Sequence, residues 1–174
     1  MAEEIWDLYD AEGNKTGRTW ERKRAKEIPE GYYHMVCDIL VKHVDGDYLL
    51  MQRDPNKEAY PGRYEASAGG SALTGEEPLE CAHRELLEET GIDSNSFRLI
   101  SNTISDRSKC IFFSYLTVVD CPKDSIVLQE GETTAYKWVS KDGLFEYADS
   151  DISIATHNKR YEAYYEELKN EDLL

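Results

Sequence analysis

The chain has 174 residues, of which 40% are hydrophobic and 32% are charged, and its formal net charge is −15. This length and composition predict one globular domain over residues 1–174, and no run of about 18 apolar residues suggests a membrane span. The negative charge argues against non-specific binding of a nucleic-acid polymer, because the phosphates would be repelled.

The N-terminus and the cysteines bear on location. The first ten residues are acidic and contain no apolar segment, so we do not expect a signal peptide. The cysteines have no C-x-x-C or Cys/His metal spacing, and we interpret them as reduced thiols of a cytoplasmic protein. They are Cys37, Cys81, Cys110 and Cys121.

The N-terminal half is predicted to be rich in strands. An opening hairpin turns near Gly13, and a second hairpin turns at Asp45-Gly46, a sequence typical of tight turns. A polar connector separates the two hairpins. The predicted strands lie at residues 5–10, at 16–20, as a pair within 35–53, and at 63–70.

The next element is a helix predicted over residues 76–90, with Pro78 tolerated in its first turn and Gly91 ending it. Three further strands and a C-terminal helix follow, at residues 97–105, 110–120, 133–140 and 149–168. The last helix carries apolar residues at helical spacing, which we interpret as core packing. These residues are Tyr161, Tyr164, Tyr165 and Leu168.

Three acids cluster near the C-terminal end of the 76–90 helix: Glu85, Glu88 and Glu89. Like charges at this spacing repel, and acids near a helix C-terminus oppose the helix dipole. A hard divalent cation would turn this local cost into a gain, since Mg²⁺ and Mn²⁺ prefer carboxylate oxygens. The alternative is a solvated acidic face, in which Arg84 pairs with Glu88.

Residues 70–92 follow the pattern G-x5-E-x7-R-E-L-x-E-E-x-G-I, which resembles the Nudix box at every defined position. The resemblance implies an α/β/α sandwich with a mixed sheet over residues 34–168. It also implies metal-dependent hydrolysis of a diphosphate linked to another moiety, with a nucleotide-type substrate expected. The hairpin within residues 1–33 resembles the extension of the branch close to isopentenyl-diphosphate isomerase.

The same resemblance implies roles for individual residues. Glu85, Glu88, Glu89 and the Gly69 carbonyl are expected to hold the metal, with Glu85 or Glu89 as the general base. Arg84 would orient these acids. Further candidates are Arg53 and Lys57 for the diphosphate, Glu76 as a loop anchor, Glu130 and Glu132 as late acids, and His34, which matches the isomerase pattern.

Two other functions stay open from the sequence. The first is an isomerase of this branch, which carries a Cys-Gly-His run where this chain has Ala68-Gly69-Gly70. This chain would then lack the cysteine that serves the isomerase as acid and base. A catalytically inactive binding module would usually have lost box acids, and none is lost here. The sequence does not fix the group attached to the diphosphate, the preferred metal or the oligomeric state, although a homodimer is possible.

Overall fold

A computed structural model describes residues 3–171. The chain opens with an antiparallel hairpin of β1 (Ile5–Tyr9) and β2 (Lys15–Glu21), as predicted. Buried Trp6, Leu8 and Ile28 give this hairpin its own apolar cluster. The polar connector contains a 3₁₀ helix over Arg22–Glu27, which its composition did not predict.

Seven strands form a mixed central sheet. The long strand β3 runs parallel to β8, and the other pairings are antiparallel. The strands are β3 (His34–His43), β4 (Tyr48–Arg53), β5 (Tyr64–Ala66), β6 (Ala68–Ser71), β7 (Arg98–Ser105), β8 (Cys110–Val119) and β9 (Thr133–Val139).

The strand predicted at residues 63–70 is two strands that pair with different neighbours. β5 pairs with β4, whereas β6 pairs with β3. Between them, the Ser67 hydroxyl donates to the Leu49 carbonyl at 2.7 Å and accepts from the Val41 N–H at 2.8 Å. This crossover places Gly69 and Gly70 opposite β3, beneath the helix that follows.

Helices cover both faces of the sheet and complete the expected α/β/α arrangement. Helix α1 (Pro78–Thr90) packs on one face, and α2 (Lys141–Ala148), α3 (Ala155–Arg160) and α4 (Glu162–Glu171) belong to the other. Ile39 and Leu40 enter opposite cores, because successive strand residues point to opposite sides. Within residues 3–171, no helix is long and apolar enough to cross a membrane.

The single C-terminal helix predicted over residues 149–168 is wrong. Helix α2 ends at Ala148, and the chain bends before α3 begins at Ala155. The Ala148 carbonyl accepts hydrogen bonds from the Ser153 hydroxyl at 3.2 Å and the Asn158 amide at 3.0 Å. Such short polar side chains compete with helical hydrogen bonding. The predicted core stripe is nevertheless buried, at Tyr161, Tyr164, Tyr165 and Leu168.

Candidate active site

Helix α1 sets the position of the acids. Its start is fixed by the Glu77 N–H, which donates to the Glu80 carboxylate at 2.8 Å, with Pro78 in the first turn. Its end is fixed by Gly91, whose φ of 74° is left-handed. Between these ends, Glu85 and Glu89 lie one turn apart on the side that faces the sheet.

The three box acids differ in burial. Glu85 and Glu89 are 9% and 6% exposed, whereas the Glu88 side chain is 46% exposed. The Gly69 N–H donates to Glu89 at 3.0 Å. Burial raises the pKa of Glu85, and burial followed by the charges of Glu65 and Glu85 raises the pKa of Glu89 well above its usual value. A solvated acidic face therefore describes Glu88 alone.

Arg84 connects the acids to the preceding loop. Its guanidinium donates to Glu76 at 2.6 and 2.9 Å, to Glu85 at 2.7 Å, to Glu88 at 3.2 Å and to the Ser71 carbonyl at 3.1 Å. Glu76 also accepts from a backbone N–H of its own loop at 2.8 Å. Arg84 thus fixes the orientation of Glu85, and Glu76 lies behind it as a loop anchor.

The glycine pair allows close approach at two points. A Cβ on Gly70 would lie 2.4 Å from the Glu85 carboxyl carbon and from one of its oxygens. A Cβ on Gly69 would lie 2.8 Å from the Cys37 carbonyl oxygen of β3. Gly70 therefore leaves room for the Glu85 carboxylate, and Gly69 leaves room for strand pairing.

A cleft of about 320 Å³ joins these acids to basic side chains. Arg53 donates to both oxygens of Glu65 at 2.9 and 3.0 Å, and Lys57 forms an ion pair with Glu132. Both cations line the cleft, together with Glu85, Glu88, Glu89, Arg84, Gly69 and Glu132.

Two lining residues come from the N-terminal hairpin region and were missed by the sequence interpretation. Arg22 donates to both carboxylate oxygens of Glu4 at 2.8 Å, and both residues line the cleft. The available signal was the basic run at residues 22–24 in an otherwise acidic chain. Its location beside residues 53–89 depends on tertiary packing.

Three of the candidate residues do not line the cleft. Glu76 lies behind Arg84, with which it pairs. Glu130 is exposed. His34 is buried, stacks on Trp6 with ring centroids 3.9 Å apart, and has Nε2 3.1 Å from the Cys110 sulfur. Burial, and then the charge of Arg22, lowers the pKa of His34 to about 4. His34 is therefore a neutral core side chain.

The donor set in the cleft fits a hard divalent cation. Glu85, Glu88, Glu89 and Gly69 all line it, and they offer oxygen ligands of the kind that Mg²⁺ and Mn²⁺ prefer. A cation would also offset the repulsion between Glu89 and its neighbouring carboxylates, which adds to burial in raising the pKa of Glu89. Arg84 holds Glu85 and Glu88 in the described structure, and no three His, Cys, Asp or Glu side chains of residues 3–171 form a ready metal cluster.

A family model described as the NUDIX domain matches residues 33–160. The chain belongs to the Nudix family. It is 30% identical over 145 residues to an uncharacterized Nudix hydrolase of Listeria innocua, which covers 81% of this chain and 82% of the relative. An uncharacterized Nudix hydrolase of Listeria monocytogenes is 36% identical over 89 residues, and the match spans 51% of this chain and about half, 52%, of that relative.

Solved structures of low sequence identity share the fold. The DR0079 protein of Deinococcus radiodurans superposes with a TM-score of 0.73 at 18% identity, covering 92% of this chain and 99% of its own. A second structure is a bifunctional NMN adenylyltransferase/ADP-ribose pyrophosphatase of Francisella tularensis, complexed with AMP and a manganese ion. It superposes with a TM-score of 0.62 at 22% identity, and the match covers 78% of this chain and 42% of that protein. As a member of this family, the chain is a Nudix hydrolase, an enzyme that acts on phosphoanhydride bonds.

Proposed function

We propose that this Nudix hydrolase cleaves a diphosphate joined to another moiety, with Mg²⁺ or Mn²⁺ as cofactor and a nucleotide-type compound as substrate. The observation that carries the proposal is the composition of the cleft. Box acids and the side chains of Arg22, Arg53 and Lys57 line one small volume. Such a cleft suits an anionic diphosphate accompanied by a divalent cation.

The metal would be held by Glu85, Glu88, Glu89 and the Gly69 carbonyl. When bound, a divalent cation neutralises charge on the phosphate oxygens and lowers the pKa of the attacking water. Arg84 keeps Glu85 oriented through their 2.7 Å hydrogen bond. Both carboxylates line the cleft beside the other oxygen ligands proposed for the metal, so we assign the role of general base to Glu85 and Glu89 jointly.

The basic side chains would bind the diphosphate. Arg53 and Lys57 are charge-assisted donors at the cleft, and Arg22 adds a third cation from the N-terminal region. Glu132 pairs with Lys57, so we propose that it positions this lysine. We assign no role to Glu130.

A nucleotide-type substrate is supported by a structural neighbour. The Francisella protein is complexed with AMP and manganese, which justifies testing nucleotides first. Nucleoside triphosphates, nucleotide sugars, ADP-ribose, dinucleotides and prenyl diphosphates are the classes to compare. We further propose that residues 1–174 form one domain that includes the N-terminal hairpin, and that the protein is a homodimer. We also propose a cytoplasmic location, which is consistent with the four free thiols.

The isomerase-like branch is proposed as a relationship and not as an activity. Ala68-Gly69-Gly70 provides neither the thiol nor the imidazole that the isomerase needs at these positions. Cys110 is buried against His34, and neither residue lines the cleft. The described cleft therefore offers no thiol to donate a proton to an alkene.

The test is a panel of diphosphate compounds incubated with Mg²⁺ and with Mn²⁺, with both products identified. We expect metal-dependent cleavage of at least one nucleotide-containing diphosphate, and Arg53→Ala should raise KM more than it lowers kcat. Ligand-dependent heat stabilisation without turnover would support an inactive module instead. Conversion of isopentenyl diphosphate to dimethylallyl diphosphate, followed by proton NMR, would overturn the hydrolase proposal in favour of the isomerase.

A further inference from the structure

Glu65 is a buried acid outside the Nudix box. It lies in the centre of β5, opposite Met51 of β4, and is 8% exposed. Burying a carboxylate is unfavourable unless it is paired and hydrogen-bonded. Its placement beside the cleft therefore calls for an explanation beyond packing.

The partner of Glu65 is the cleft arginine. Nη1 of Arg53 donates to both Glu65 oxygens, at 2.9 and 3.0 Å, and Nε donates to the Ala59 carbonyl at 3.0 Å. Nη2 has no acceptor within residues 3–171, and Arg53 lines the cleft. Two of the three guanidinium nitrogens are thus committed to the protein, and the third is left for a ligand.

His157 is a second neighbour of Glu65. Nδ1 of His157, in α3, lies 3.7 Å from a Glu65 oxygen, and the His157 ring meets Tyr60 edge-on at 6.3 Å. Burial lowers the pKa of His157 to about 4, so this ring is neutral at pH 7. Arg53 is therefore the cation that is hydrogen-bonded to Glu65, and the charge of Lys57 acts on Glu65 without such a bond.

We propose that Glu65 is a positioning residue, which holds the Arg53 guanidinium ready for the substrate diphosphate before the substrate arrives. An arginine side chain loses considerable conformational freedom when it is fixed, and fixing it in advance lowers that cost at binding. The inference rests on the proposed function, since it takes the diphosphate as the ligand of Arg53. It adds a residue outside the box to the binding machinery.

The experiment compares Glu65→Gln and Glu65→Ala with the wild-type protein. We expect KM for the best diphosphate substrate to rise about 3- to 10-fold, with a smaller change in kcat. Binding of inorganic diphosphate with Mg²⁺, measured by calorimetry, should weaken by a similar factor. Glu167→Gln removes an acid from the exposed Arg98–Glu167 pair away from the cleft, and it should leave KM unchanged.

A double-mutant cycle gives the decisive result. If Glu65 acts through Arg53, then Arg53→Ala with Glu65→Ala should bind diphosphate no worse than Arg53→Ala alone. Additive losses would overturn the proposal, as would a lower melting temperature with unchanged KM and diphosphate affinity. A KM rise in Glu167→Gln equal to that in Glu65→Gln would mean a general charge effect and also overturn it.

The proposed function can fail separately. Absence of cleavage across the diphosphate panel would refute the hydrolase proposal, while the calorimetric cycle would still decide the role of Glu65. If the wild-type protein bound no inorganic diphosphate with Mg²⁺, the role of Arg53 and Glu65 in diphosphate binding would be refuted, and the cleavage panel would still decide the hydrolase proposal.

Discussion

Replacing Gly70 with alanine places a methyl group against the Glu85 carboxylate. The added Cβ would lie 2.4 Å from the carboxyl carbon, whereas ordinary contact begins near 3.4 Å, so the carboxylate must move by about 1 Å (3.4 − 2.4). Gly70 does not have a positive φ, so alanine itself is tolerated by the backbone. The strain therefore falls on Glu85.

A displacement of 1 Å at a reacting or metal-binding group can cost about 10²-fold in rate. We expect Gly70→Ala to lower kcat by about 10- to 100-fold. The hydrogen bond between Arg84 and Glu85 would weaken, and the displaced carboxylate would be solvated by water instead. We expect the free energy of unfolding to fall by about 1 kcal/mol, which lowers the melting temperature by about 2–4 °C. Steady-state turnover of the best substrate and a thermal melt measure the two effects.

Gly69→Ala is the matched control. Its Cβ would meet the Cys37 carbonyl at 2.8 Å, and a backbone atom cannot rotate away. We expect the free energy of unfolding to fall by about 1–3 kcal/mol. A kcat of Gly70→Ala within about twofold of wild type, or a larger loss of stability in Gly70→Ala than in Gly69→Ala, would show that Gly70 does not make room for the Glu85 carboxylate.

Three further predictions follow from the same structure. Glu88→Gln should reduce turnover at least about tenfold with little change in melting temperature, because Glu88 is half-exposed; full activity with Mg²⁺ would remove Glu88 from the metal site. Mg²⁺ or Mn²⁺ should raise the melting temperature, and the Glu85→Ala, Glu89→Ala double variant should lose that rise; an equal rise would place the metal elsewhere, for instance at Glu132. Because the folded pKa of His34 is about 4 and its ordinary value is 6.5, the unfolded chain takes up this proton first, so stability should fall between pH 6.5 and 4 by about 3 kcal/mol from His34. In urea titrations at several pH values, His34→Phe should remove the part of the stability loss that comes from His34 and leave the similar part that comes from His157. An unchanged dependence of stability on acidic pH in His34→Phe would contradict the neutral, buried state of His34.

Local chemistry explains what the sequence predicted well. Helix α1 spans Pro78–Thr90 because Pro78 suits a first turn and Gly91 accepts a left-handed φ, and both signals depend only on neighbouring residues. The Asp45-Gly46 turn joins β3 and β4 for the same reason. The helix predicted over residues 149–168 was wrong in two places, since turns held by hydrogen bonds to the Ala148 carbonyl precede α3, and Tyr161 separates α3 from α4. Apolar spacing does not reveal such side-chain hydrogen bonds to the backbone.

The box spacing by itself determined that Glu85, Glu88 and Glu89 share one helical face, since 3.6 residues per turn requires it. Only the tertiary structure decided that the sheet buries Glu85 and Glu89 and leaves Glu88 at the surface. It also decided that Arg22 lines the cleft and that Glu65 holds Arg53. Burial and long-range pairing depend on how distant elements pack, and helical periodicity carries no information about the surface on which a helix rests.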